Sequence, residues 1–201
     1  MDAGMLIFLD TEFSSLNNWV QKRLISIALV PADGRAPFYA ELAEGDGWTR
    51  DDCSSFVLDE VLPILKGGEC IVPCAELRDR MLAWFSTMPR SIQLACDSEI
   101  DFRFIHEILY GHPWPENLEK RYFDLRPMVD STVYDKAVQH YYASEHPMHN
   151  ALADAQAYRL GWMAWIDANK DALSALEKSK QMHRDWVEIS TAKNQPSGET
   201  K

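Results

Sequence analysis

No stretch of this 201-residue chain stays apolar for the ~18–20 residues needed to cross a bilayer. The first apolar run, Met5 to Leu9, is too short for a secretory signal and has no basic flank, so a cytoplasmic protein is expected. Cations are scarce: 20 Lys and Arg stand against 31 Asp and Glu, a net charge of −11. That balance argues against a protein held to long duplex DNA by phosphate contacts. Cysteine is sparse too. Cys53, Cys70, Cys74 and Cys96 match no zinc spacing, and without a secretory signal they are expected as reduced thiols. No internal repeat is present.

Core-forming residues are abundant. Hydrophobic residues make up 46% of the chain and include seven Trp and eight Phe, which excludes a disordered chain and suffices for one domain. The acid is uneven. Glu41 to Glu60 holds seven carboxylates and one Arg, which reads as a solvated acidic loop.

The pattern of elements follows from periodicity. Met5–Leu9 is a continuous apolar run ending at Asp10, as in a buried central strand. Arg23–Val30 and Pro37–Leu42 read as two further strands around the turn Pro31-Ala32-Asp33-Gly34, giving an antiparallel meander. Phe56–Leu65 has helical spacing broken by Pro63. Pro73–Met88 is a better helix, with Leu77, Met81, Leu82 and Phe85 on one face. Ser91–Cys96 is a fourth strand, Phe102–Tyr110 a helix, and Tyr122–Leu125 a fifth strand. Helices follow near Ser131–Ala143, Ala151–Ala168 and Ala172–Val187. The expected fold is therefore α/β: one domain over 1–188, a mixed five-stranded sheet flanked by helices, and a polar disordered tail over 189–201.

Chemistry is concentrated in carboxylates beside apolar residues, where an uncompensated charge is costly. Asp10 and Glu12 stand two apart on an extended strand and project to the same side. Adjacent negative charges share a proton or bind a cation, and hard oxygen ligands select Mg²⁺ or Mn²⁺. Asp101 follows the fourth strand and sits between apolar neighbours. Nearby Asp97 and Glu99 read as solvated or capping. Asp154 falls in the first turns of a helix for which Asn150 is a suitable N-cap, and alanines at 151, 153, 155 and 157 leave room around it. His149 precedes that helix, five residues before Asp154.

The segments Leu9-Asp10-Thr11-Glu12-Phe13, Ile100-Asp101-Phe102-Arg103-Phe104-Ile105 and His149-Asn150-Ala151-Leu152-Ala153-Asp154 resemble, in order, the three motifs of the DEDD exonuclease superfamily. The histidine five before the last Asp marks the His subtype. Between motifs, Leu24–Val30, Asp33-Gly34-Arg35 and Phe38-Tyr39-Ala40 look most like a small bacterial or phage group similar to ribonuclease T. The chain departs from many relatives in carrying Asp97 where Asn is common, and Phe13-Ser14-Ser15-Leu16 where Gly is frequent.

The resemblance implies a ribonuclease-H-like fold and a metal-dependent 3′–5′ exoribonuclease. Asp10, Glu12, Asp101 and Asp154 would hold two divalent ions, Mg²⁺ or Mn²⁺, and His149 would act as general base. Phe13 and Leu16 would lie against the terminal nucleotide; as ordinary core residues they would have no such role. The implied partner is a single-stranded nucleic-acid 3′ end, RNA favoured, with an exodeoxyribonuclease or a non-catalytic binding module as alternatives. Leu160, Trp162, Met163, Trp165 and Ile166 form a stripe suited to the core or, since relatives form homodimers, to a subunit interface. Lys120, Arg121 and Arg126 read as a solvated basic patch, and the remaining histidines as structural or exposed.

Overall fold

Alternation along the strands gives the sheet two apolar faces, and each is covered by helices. The computed structural model describes residues 4–16, 22–129 and 131–193, with backbone alone for 173, 177 and 185–193. Strands β1 (Met5–Phe13), β2 (Leu24–Pro31) and β3 (Phe38–Leu42) form the antiparallel meander. A strand absent from the sequence reading, β4 (Ile71–Val72), pairs parallel with β3. Two residues are too few to show a period, so only the pairing reveals it. Helix α1 (Cys74–Ser86) then leads to β5 (Ile92–Cys96), parallel to β1. Helix α2 (Glu99–Ile108) leads to β6 (Phe123–Asp124), parallel to β5. The short α3 (Arg126–Val129), α4 (Thr132–Tyr142) and α5 (Ala151–Lys193) complete the chain. The result is an α/β fold with a mixed, open sheet of six strands rather than five, in the order β4-β3-β2-β1-β5-β6.

On one face Ile7 and Leu9 of β1, with Ile25, Ile27 and Leu29 of β2, pack against Leu77, Met81 and Phe85 of α1 and Phe104 and Ile105 of α2. On the other, Phe8, Ala28, Val30 and Ala95 meet Ala151 and Ala155 of α5, Tyr134 of α4 and Leu125. The alanines let α5 lie close to the sheet. Parity along β1 thus decides which side chains face α5: Phe8 does, and so do Asp10 and Glu12.

Several local expectations are corrected. Phe56–Leu65 is no regular helix: Val57–Val61 is a π-helical turn and Leu62–Ile64 a 3₁₀ turn, because Pro63 supplies no N–H to an α-helical ladder. Two terminal helices are one, since nothing between Ala168 and Ala172 breaks the backbone ladder; α5 runs to Lys193, into the segment expected to be a tail, and 194–201 lie outside the described residues. The acidic segment is not wholly solvated. Glu41 is buried in β3, where its carboxylate accepts from the Tyr39 hydroxyl (2.5 Å) and from the N–H groups of Lys66 (2.6 Å) and Gly67 (2.9 Å). Three donors replace the water it lost, and they tie the loop before β4 to the sheet. The stripe on α5 divides: Trp162 and Trp165 pack on the second core, Trp162 lying 5.7 Å from Phe8, while Met163 is exposed. The four cysteines are free thiols.

At Gly161, α5 lies close against Tyr134 of α4. A Cβ there would come within 2.7–2.8 Å of the buried Tyr134 ring. Gly161→Ala should therefore destabilise the protein by ~1–3 kcal/mol through overpacking, although Ala favours helix by about 1 kcal/mol. Urea unfolding measures this, and a variant as stable as the parent would show that the two helices can separate at no cost.

Candidate active site

The site is assembled where β1 passes under the first turns of α5. Asp10 and Glu12 lie opposite Ala28 and Ser26 of β2, so small neighbours leave space above them. Asn150 starts α5, its Oδ1 accepting from the Ala153 N–H at 3.3 Å, and this cap aims Asp154 back at the strand. Oxygen atoms of Asp10, Glu12 and Asp154 all lie within 4.8 Å of one another. Residues 142 positions apart in sequence thereby form one acidic pocket.

Asp101 reaches the neighbourhood from the other face of the sheet. It lies in the first turn of α2, capped by the Ser98 side chain, and is 3% exposed. Its Oδ1 accepts from the Thr11 hydroxyl at 2.6 Å. It therefore stands beside the three-acid cluster without joining that 4.8 Å group. Asp97 is corrected from a solvated or capping role: it is partly buried, and burial raises its carboxyl above the ordinary range, while Ser98 caps the helix and Glu99 is exposed.

The carboxylates are compensated by neutral hydroxyls. Tyr158 donates to Asp10 Oδ1 at 3.2 Å, Tyr142 to Asp154 Oδ1 at 2.7 Å, and Thr11 to Asp101. None of the ion pairs among the described residues reaches them. Burial shows first in every proton affinity, and repulsion among the acids of the cluster adds to it at Asp10 and Glu12. Asp10 is held well above the carboxylate range by burial first and then by the charges of Asp101, Glu12 and Asp154. Burial and the charges of Asp154 and Asp101 lift Glu12 to about 8. Asp101 is raised to about 7 by burial, against the opposing hydrogen bond from Thr11. Burial raises Asp154 to about 6, opposed by the Tyr142 hydrogen bond and the nearby His149. Such a donor set fits a divalent cation: hard oxygens converge, and among the described residues no Lys or Arg forms an ion pair with them.

His149 stands at the rim. Its backbone N–H donates to Asp154 Oδ2 at 3.2 Å, and its backbone is left-handed, with φ of 62°, uncommon outside glycine and a frequent mark of functional positions. Its ring meets the half-exposed Phe56 edge-on, with centroids 4.9 Å apart. Phe13 is partly buried and packs on Phe104 at 5.8 Å, and Leu16 is 69% exposed. Of the two, only Leu16 offers a free apolar surface. In the basic patch, Arg126 is paired with Asp124 at 2.6 Å.

Sequence reasoning did not single out Thr11, Phe56, Tyr142 or Tyr158. Tyr158 had a legible signal, standing one helical turn after Asp154 on the same face. Tyr142 and Phe56 had none, since α4 and the π-helical turn meet the site only through tertiary packing. No protein-family model matches the chain, and no curated protein matches its sequence. Among the described residues, no helix is long and apolar enough to cross a membrane.

A pH dependence follows with a definite sign. Unfolded carboxylates titrate near ~4, whereas these titrate at about 6, 7 and 8 when folded. The metal-free folded state binds more protons across that window, so its stability is present below ~4 and is lost as pH rises through 6 to 8. Melting temperature without divalent ions should fall over that range, Mn²⁺ should restore it most at the alkaline end, and Asp10→Asn should flatten the slope. A melting temperature that rises with pH and ignores Mn²⁺ would refute the reading of the cluster.

Proposed function

We propose that this chain is a metal-dependent 3′–5′ exonuclease of the DEDD type, His subtype, on a ribonuclease-H-like fold, acting on RNA 3′ ends. The observation that carries the reading is the convergence of Asp10, Glu12 and Asp154 within 4.8 Å, with the backbone N–H of His149 hydrogen-bonded to the last of them. A bound cation and its substrate would relieve the repulsion in this pocket, as perturbed groups in a functional site are arranged to allow.

Asp10, Glu12 and Asp154, with Asp101 alongside, would hold two Mg²⁺ or Mn²⁺ ions. When bound, these ions lower the pKa of water and stabilise the negative charge that develops on the phosphodiester. The chain's own groups do the rest. Tyr158, Tyr142 and Thr11 fix the carboxylate oxygens through hydroxyl donors, so little reorganisation is needed on binding. His149, on the rim and beside Phe56, accepts the proton of the attacking water. The new bond joins water oxygen to phosphorus, the bond from phosphorus to the 3′ oxygen breaks, and the departing 3′ oxygen takes up a proton. A nucleoside 5′-monophosphate leaves. The exposed Leu16, with Phe13 behind it, would bear on the terminal nucleotide.

With Mn²⁺ and 5′-labelled RNA, the protein should give a ladder shortened from the 3′ end. Internal fragments alone would overturn the assignment, and faster digestion of a matched DNA strand would move it to deoxyribonucleic ends. Asp10→Ala and Asp154→Ala should abolish the ladder. His149→Ala should slow it by ~10²–10⁴ while Mn²⁺ uptake, read by calorimetry, is retained. Tyr142→Phe should weaken Mn²⁺ binding by about tenfold or more through loss of its hydrogen bond to Asp154.

A further inference from the structure

Between α1 and α2, on the sheet face away from α5, lies a cleft of ≈ 460 Å³. Its floor is apolar, formed by Leu24, Leu77 and Phe104, and its rim carries Lys22, Arg23 and Arg78 against the single acid Glu107. A second, more open hollow adjoins it through Glu107 and Tyr110 and adds Arg103. Four cations against one anion is an inversion in a chain whose net charge is −11. Arg103 stands near enough to Lys22 that, after burial, its charge is the next cause holding the Lys22 ammonium below its ordinary range. Like charges that converge on a cleft favour an anion between them.

Two further observations define that anion. Tyr110 lines both hollows and is 86% exposed, an aromatic face held in water by a loop. The cleft also borders the end of the strand that carries Asp10 and Glu12. Phe13, the residue after Glu12, packs on Phe104, and Lys22 Nζ lies 4.8 Å from the Phe13 ring; both Phe104 and Lys22 line the cleft. The ion pairs Arg78–Asp79 (3.1 Å) and Arg103–Glu107 (3.8 Å) lie at the surface, where such pairs are weak and exchange readily for phosphate.

Resting on the exonuclease reading, we propose that the α1–α2 cleft is a second nucleic-acid site, which takes the single strand upstream of the nucleotides being cleaved. Lys22, Arg23, Arg78 and Arg103 face its phosphates, and Tyr110 stacks on a base. Spaced cations beside an exposed ring are the pattern of a sequence-tolerant single-strand groove, whereas an acidic peptide would leave the ring unused. The site makes the enzyme sensitive to substrate length without altering chemistry at the 3′ end.

The test measures binding and turnover separately. Anisotropy of a labelled deca-uridylate in EDTA, where cleavage is arrested, should show affinity falling about tenfold or more in the double variant Arg78→Glu, Arg103→Glu, with a shallower salt dependence, and about tenfold in Tyr110→Ala. Hydrolysis of a uridine dinucleotide with Mn²⁺ should keep its kcat and KM in all variants. Unchanged deca-uridylate affinity, equal losses on the dinucleotide, or displacement of the RNA by oligoglutamate as readily as by unlabelled RNA would overturn the proposal. Failure of the exonuclease reading is distinct: the parent protein would then cleave neither substrate, while the anisotropy arm would still report on the cleft.

Discussion

Repulsion among carboxylates packed between a central strand and a helix is the constraint on which the site depends. Asp10, Glu12 and Asp154 are drawn together by the close fit of α5 on the sheet, and their elevated proton affinities record what that fit costs. Apolar packing elsewhere must offset it. The fully buried Ile7, Phe8 and Leu9 immediately before Asp10 secure β1 on both faces, so the strand cannot twist away to separate the charges.

Neutral donors manage the repulsion without cancelling it. Had a lysine or arginine paired with Asp10, the cluster would be satisfied and closed to a cation. Hydroxyls from Tyr158, Tyr142 and Thr11 instead orient single oxygens and bring no positive charge to the cluster. Glu41 shows the opposite solution a few strands away on the same sheet. Its carboxylate takes two backbone N–H groups and the Tyr39 hydroxyl and serves only to pin a loop. Buried acids on one sheet thus divide into one whose hydrogen bonding is met by protein donors and a group whose charge is left for something else.

The cleft between α1 and α2 complements this arrangement. Acid outnumbers base in the chain, yet Lys22 and Arg23 before β2, Arg78 of α1 and Arg103 of α2 gather at this cleft, beside the Phe13–Phe104 contact. For the proposed substrate, the carboxylates and their ions would act at the terminus while the cationic groove tracks the strand. One polyanion would then meet two surfaces of different charge, each suited to its part of the molecule.

Much of this was legible in the sequence because it follows from short-range geometry. The apolar run before Asp10, the i, i+2 placement of Glu12, the Asn150 cap before Asp154 and the apolar face of α1 each need only a strand or helix period. Tertiary structure alone decided the rest. Strand β4 exists by pairing, α5 continues where composition suggested a break, and Glu41 is buried by partners 25 and 26 residues away. The hydroxyl donors and the edge-on contact of Phe56 with His149 likewise arise where separate elements meet. Periodicity reports which face a side chain takes within its own element, whereas the depth of an acid, its donors and the cost of its charge are set by neighbours that the chain brings together only on folding.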